Sequence, residues 1–327
     1  MSISRRNFMG HVMAGAAIAP LSAALTGPAQ ATPASVGKGM IQRRTIGDIE
    51  VIALLDGQME LPHELMSGYS APEAEVAAAV AHRPFNANAM PISVSAYVIR
   101  TGGRVIAIDA GAPGAMGATL GGWTASLAAA GIGLDEIDTM LITHLHPDHV
   151  GGLSGVLDGG AAVLLPNAEL VTSEADWNFA FDAGVYAATP DAFRGFFDMT
   201  RALITPYDAQ KRLIAPGIEI APGVETVALP GHTPGHMGVR VTSGSESLLI
   251  WGDVVHAVAL QFAQPLWAVA FDADQALAAK TRAQALDMAA SDGTLIAGMH
   301  LDFPGFGYVE RHGEGYRFIA APFDFTA

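Results

Sequence analysis

The sequence predicts a mixed α/β fold, with sheets packed on one another and helices over their outer faces. Three observations point to it. Strand-type runs and helix-type periodicities alternate along the chain, they fall into two comparable halves, and short wholly apolar runs of the kind that form buried strands occur among them. The 327 residues suffice for one large domain or two small ones with a sizeable core.

The chain opens with what reads as an export leader. Ser4-Arg5-Arg6-Asn7-Phe8-Met9 is a twin-arginine pattern, a mildly apolar stretch runs from Val12 to Leu25, and Ala29-Gln30-Ala31 forms a small-residue cleavage site. Pro20 interrupts the apolar stretch, which also falls short of the roughly 20 residues of a spanning helix. The expectation is a leader over residues 1–31 and a single domain over residues 32–327. Twin-arginine export carries folded proteins, so the mature chain would reach the bacterial periplasm or beyond already folded.

From Thr45 the elements follow in order. Ile49 to Leu54, ahead of Asp56-Gly57, reads as a strand, and Val94–Arg100 with Arg104–Ile108 reads as a hairpin turning at Thr101-Gly102-Gly103. Trp123, Leu127 and Ala130 share a helical face that stops at Gly131. Thr139 to Thr143 is a short apolar strand that delivers the chain into a histidine-rich loop. The segment from Pro166 to Pro206, rich in Trp and Phe, lies between the halves, where it can cover a cleft. In the second half, residues 218–229 and 238–251 read as strands. Gln275 to Ala290 reads as a helix with Ala279, Ala283, Leu286 and Ala290 on one face, and Thr294 to Ala297 as a last strand.

Composition narrows the chemistry. There is no cysteine, so disulfides, thiolate metal sites and cysteine nucleophiles are excluded, and any metal must be held by imidazole and carboxylate. Removing Arg5 and Arg6 with the leader takes the formal charge from −15 to −17. A surface that negative repels nucleic acid and anionic membranes. Stable membrane insertion after cleavage is not expected either.

The chemistry concentrates in Thr143-His144-Leu145-His146-Pro147-Asp148-His149-Val150-Gly151-Gly152, with three imidazoles and a carboxylate within six residues after a strand. Alternation puts His144 and His146 on one side, able to share an ion, while Asp148 and His149 can turn toward a second. Matching donors come later: His232 in a Gly/Pro-fixed turn, Asp253 at a strand end and His300 at another. These seven suffice for two ions if one carboxylate bridges. A lone histidine is more often a surface or core residue, and His11, His63, His82 and His312 are read that way.

HLHPDHVGG, GHTPGH, GD and the late AGMH resemble the ordered motifs of the metallo-β-lactamase superfamily. The resemblance is nearest to the methyl parathion hydrolase group, through GDIEVIALLDG at Gly47, YVIRTGGRVIAIDAGA at Tyr97, LPNAELVTSEADW at Leu165, GFF at Gly195, WGDVVHAVALQF at Trp251, HLDFPGFG at His300 and GEGYRF at Gly313. That group is in turn similar to the dinuclear N-acyl-homoserine lactonases. The resemblance implies a four-layer αββα sandwich, two mixed sheets face to face with helices outside and the site at one edge. It also implies two divalent ions, zinc first among them. His144, His146 and His232 would hold one, Asp148, His149 and His300 the other, and Asp253 would bridge. Asp109 matches a carboxylate that orients a ligand histidine, and His236 a neighbour that is not a ligand. A homodimer is the usual state of the resembling enzymes.

The expected activity is hydrolysis of a small-molecule ester, lactone or phosphotriester by a water that the ions activate, with Asp148 and Asp253 as the catalytic carboxylates and no Ser/His/Asp triad needed. Trp177 and Phe196 match aromatics of the substrate pocket, with Phe197, Phe262 and Trp267 as further candidates; core packing accounts for all of them equally well. Two positions depart from the parathion hydrolases. Met116 replaces an aromatic, and His256, three residues after Asp253, replaces an aliphatic. The rival readings are an N-acyl-homoserine lactonase or broad esterase and, from another class, an inactive metal-binding protein. The last predicts a missing donor, and none is missing.

Overall fold

The computed structural model describes residues 39–66, 73–81, 89–157 and 160–324; the expected leader, with His11, and also His82 lie outside them. The first half builds strands β1 (Met40–Ile46), β2 (Ile49–Pro62), β3 (Ala89–Thr101), β4 (Arg104–Ile108) and β5 (Thr139–Leu141), a small hairpin β6 (Ser154–Leu157) and β7 (Gly160–Val163), then β8 (Glu169–Ser173) and β9 (Lys211–Ile214). They form a seven-stranded sheet in the order β1-β2-β3-β4-β5-β8-β9, with β6-β7 apart. It is antiparallel up to β4 and parallel from β4 to β9.

The second half builds β10 (Glu219–Ala221), β11 (Val224–Ala228), β12 (Met237–Ser243), β13 (Glu246–Ile250), β14 (Leu295–Ala297), β15 (Gly307–His312) and β16 (Gly315–Ala320), a second sheet in sequence order. Only β13 and β14 pair in parallel.

Alternation along the strands assigns the layers. Val51 and Ala53 of β2 enter a core shared with Val239, Val241, Leu248 and Ile250 of the second sheet. Their neighbours Ile52 and Leu54 enter a core on the opposite face with Trp123 and Leu127. Because both faces of this sheet are buried, β2 reads as a continuous apolar run and not as an alternating one. The outer face of the first sheet is covered by helices α2 (Trp123–Ala129), α4 (Glu174–Phe181) and α6 (Asp191–Ile204), and that of the second by α8 (Gln275–Asp292), whose Ala285, Leu286 and Ala289 meet Leu249 and Ile296. The short helices are α1 (Glu73–Val80), α3 (Pro147–Val150), α5 (Ala183–Ala188) and α7 (Val258–Gln261). The result is the four-layer αββα sandwich, and no helix among the described residues is long and apolar enough to cross a membrane.

Several boundaries differ from the sequence expectation. Asp56-Gly57 does not end a strand: β2 continues to Pro62 through a bulge between Leu55 and Gly57. The strand expected over 218–229 is the hairpin β10–β11, turning at Gly223, whose φ of 75° suits glycine. β14 is not the last strand, because β15 and β16 follow. Their half-exposed alternation is interrupted by charged residues, which hides them in a reading that looks for buried apolar runs. The buried stripe of α8 is 278, 279, 282, 285, 286 and 289, with Arg282 inside, while Ala283 and Ala290 are only half-buried. The segment 166–206 is helical, and its α4 and α6 pack on the first sheet's outer core through Trp177, Ala180 and Ile204.

Candidate metal centre

All seven expected donors lie on loops that follow strands. His144 and His146 follow β5, with Asp148 and His149 in α3. His232 follows β11, Asp253 stands in a single turn after β13, and His300 follows β14. Local geometry holds these loops in shape. Pro147 opens α3 at its first position, where the missing N–H costs nothing. Gly252 has φ of 60°, and a Cβ there would stand 2.5 Å from His236 Nε2. That close approach lets His236 Nε2 accept from the Asp253 N–H at 2.9 Å while its Nδ1 donates to the Leu229 carbonyl at 2.7 Å. Both nitrogens of His236 are thus committed, and it supports the site from behind.

The donors separate into two groups with one oxygen between them. His144 Nε2, His146 Nδ1 and His232 Nε2 stand 2.9–3.1 Å apart. Beside them, Asp253 Oδ2 lies 3.2 Å from His149 Nε2 and 3.1 Å from His300 Nε2, and Asp148 Oδ2 lies 3.5 and 3.4 Å from the same two nitrogens. The same Asp253 Oδ2 is 3.6 Å from His144 Nε2 and 3.4 Å from His232 Nε2.

The surrounding hydrogen bonds fix which ring nitrogen carries a proton. His149 Nδ1 donates to Asp109 at 2.7 Å, His232 Nδ1 to Asp272 at 2.7 Å and His300 Nδ1 to the Ser93 carbonyl at 2.8 Å. The Thr143 hydroxyl donates to Asp109 at 2.7 Å, so at 3.1 Å it accepts from His144 Nδ1. In the neutral rings the nitrogens facing inward are therefore bare lone pairs. Two of them, on His144 and His232, face each other at 3.1 Å, an arrangement that is repulsive without a cation between them. His149 Nε2 and Asp253 Oδ1 are buried with no hydrogen-bond partner among the described residues. This donor set fits divalent cations that take imidazole and carboxylate.

The electrostatics agree. Burial opposes charge on His300, yet Asp253 and Asp148 override it and raise its pKa to about 10; His149 is raised well above its ordinary value against the same opposition, by Asp253, Asp148 and Asp109. Burial and the neighbouring rings push His144 well down and His146 to about 3. Asp148 and Asp253 stay well below the usual carboxylate range because His149 and its neighbours outweigh their burial. One side of the centre thus attracts positive charge, while the other offers neutral nitrogens. Solvent enters past His146 and Asp148, the two half-exposed donors.

Asp109 holds φ of 59°, rare for a residue with a side chain, and its carboxylate receives the Thr143 N–H at 2.8 Å as well as the bonds above. Sequence reasoning missed three contributors. Asp272 orients His232 and lies 3.8 Å from the buried Arg282. Asp176 accepts from Leu145 N, Thr233 Oγ1 and Gly235 N, tying the two histidine loops together. Phe271 stands edge-on to His146, His232 and His256 with ring centres 5.3–6.4 Å away. Nothing near Asp272 or Phe271 in the sequence marks them, while ADW at Asp176 sat inside a quoted segment of the resemblance.

The residues expected around a substrate are scattered. Trp177 stacks on Phe181 at 5.0 Å, beneath Lys211, inside the outer core of the first sheet. Phe196 is half-buried on α6 beside Phe193. Phe262 and Trp267 are core residues, and Met116 packs against Val94, Ala112 and Leu120. His256 alone joins the centre, its Nε2 3.1 Å from Asp253 Oδ2.

A fold of two sheets with imidazole and carboxylate loops converging at strand ends defines a metal-dependent hydrolase. The model of the metallo-beta-lactamase superfamily matches residues 89–300, and the chain belongs to that superfamily. Among solved structures it is similar to the hydrolase AbOPH in the beta lactamase superfamily, at 31% identity over 87% of this chain and 98% of that one, with a TM-score of 0.79. It is also similar to AidC, a dizinc quorum-quenching lactonase, at 21% identity over 88% and 99% with a TM-score of 0.80. A probable metal-dependent hydrolase from Staphylococcus aureus matches at 20% identity over 85% and 99%, with a TM-score of 0.69. At those last two identities the likeness is one of fold. No curated protein sequence matches.

Proposed function

We propose that the chain is a dinuclear hydrolase of small neutral esters, lactones or phosphotriesters. The observation that carries this is Asp253 Oδ2, one oxygen within 3.6 Å of inward-facing nitrogens from both donor groups. His144, His146 and His232 would hold one ion, zinc being the first choice, and Asp148, His149 and His300 a second, with Asp253 between them. Divalent cations, if held there, would supply a water acidified to a pKa of about 7 and a Lewis acid for the substrate oxygen.

The protein's own part is positioning and proton transfer. Asp109, Asp272 and the Ser93 carbonyl hold three imidazoles in the tautomer that presents a lone pair inward. Asp148 is the carboxylate on the solvent side, with 14% of its side chain exposed, and takes a proton from the nucleophile and returns it to the leaving group. Asp253, buried with its Oδ2 between the two donor groups, serves geometry. Beside the centre the half-buried Phe271 offers an apolar surface, which suits a substrate with a hydrophobic arm.

The reading is tested by steady-state turnover of a phosphotriester, an acyl-homoserine lactone, an aryl ester and a β-lactam on one metal-loaded preparation. Hydrolysis of at least one of the first three, abolished in Asp148→Ala and by chelation, is expected. No turnover of any of them by protein carrying both ions would contradict it.

A further inference from the structure

Two histidines lie against Asp253 without belonging to either group of donors, and they differ in one respect. His236 has both ring nitrogens hydrogen-bonded. His256 is 1% exposed, and neither its Nδ1 nor its Nε2 has a hydrogen-bond partner among the described residues. Its Nε2 is 3.1 Å from Asp253 Oδ2 but off the line of a hydrogen bond. Burying a polar ring unpaired is unfavourable, so such a ring persists where a ligand completes it.

The ring is also held in place. Gln261 Oε1, wholly buried, accepts the backbone N–H groups of both His256 and Ala257 at 2.8 and 3.1 Å, and Gln261 Nε2 donates to the Trp267 carbonyl. The imidazole stacks on His300 at 5.2 Å with planes 22° apart, lies 4.7 Å from the His232 ring, and meets Phe271 edge-on at 5.3 Å. It therefore sits between one histidine of each group. One donor atom each from His232, Asp253 and His256 lies within 4.8 Å of the others, a third set able to hold a cation.

We infer that His256 Nε2 is an eighth protein donor of the centre, ligating a divalent cation together with His232 and Asp253. This rests on the dinuclear reading above and deepens it. The added imidazole brings the histidine donors of the centre from five to six.

The experiment loads the mature chain with Co²⁺ and reads stoichiometry, affinity by chelator competition and the visible d–d spectrum, for wild type and for His256→Phe, which keeps an aromatic against His300 and Phe271. The expected result is two equivalents in both proteins. In the variant the band of one equivalent should shift and intensify as a donor is lost, and its affinity should fall at least about tenfold. Identical spectra and affinities would overturn the inference while leaving the dinuclear reading standing; fewer than two equivalents in wild type would overturn both. A second readout needs no variant. Proton NMR of the Co²⁺-loaded wild type should show hyperfine-shifted ring signals from six imidazoles, and signals from only five would exclude His256.

Discussion

At Asp253 one carboxylate oxygen lies within 3.6 Å of nitrogens from five imidazoles. Each of these rings is only as well aimed as the group behind it. Asp272 shows this most simply: it accepts His232 Nδ1–H at 2.7 Å through one oxygen and the Val269 N–H at 3.0 Å through the other. Asp272→Ala should free the ring to turn and to exchange tautomer, lowering the affinity of the metal centre about 10- to 100-fold. Chelator competition against wild type measures this, and an unchanged affinity would contradict the orienting role. Asp272 and Ser93 were invisible in the sequence because one acts across 40 positions and the other through a backbone carbonyl that any residue supplies; Asp109, which acts across as many positions, was named only by the resemblance. The donors themselves were legible because four of them share six consecutive residues and the others stand in glycine-marked turns.

Among the elements, β2 carries the most instructive departure. Its bulge turns Asp56 inward, where the carboxylate accepts N–H groups from Ala112, Gly121 and Trp123 and so moors the loop leading into α2. Burial outweighs these bonds and raises the Asp56 pKa from 3.8 to about 6. A carboxyl raised in the fold favours the folded state most below its unfolded value, and that contribution is lost as pH rises through the folded value. Asp56→Asn cannot titrate, so the stability gap between wild type and the variant should shrink between about pH 4 and pH 7, by up to about 3 kcal/mol. Urea unfolding of both proteins at equal metal load checks this; a gap independent of pH would contradict it. In the sequence, Asp56-Gly57 has the composition of a turn, and only pairing with Ser95 and Val94 of β3 shows it to be a kink in a longer strand. β15 and β16 escaped notice for a related reason, since only one of their faces is buried.

For the molecule as a whole, the two halves meet twice, once in the core between the sheets and once at the centre. The first half supplies His144, His146, Asp148 and His149, and the second supplies His232, Asp253 and His300. The sandwich was legible from paired halves and buried strands, and the site from its motifs. The substrate side was not, because aromatic residues look alike in a core and in a pocket: Trp177 went to the first and Phe271 lies at the centre. The most direct test of the account is anomalous diffraction from crystals of the metal-loaded protein. Two peaks are predicted, one among His144, His146 and His232 and one among Asp148, His149 and His300, with the Asp253 carboxylate between them. A single peak, or peaks away from Asp253, would contradict it.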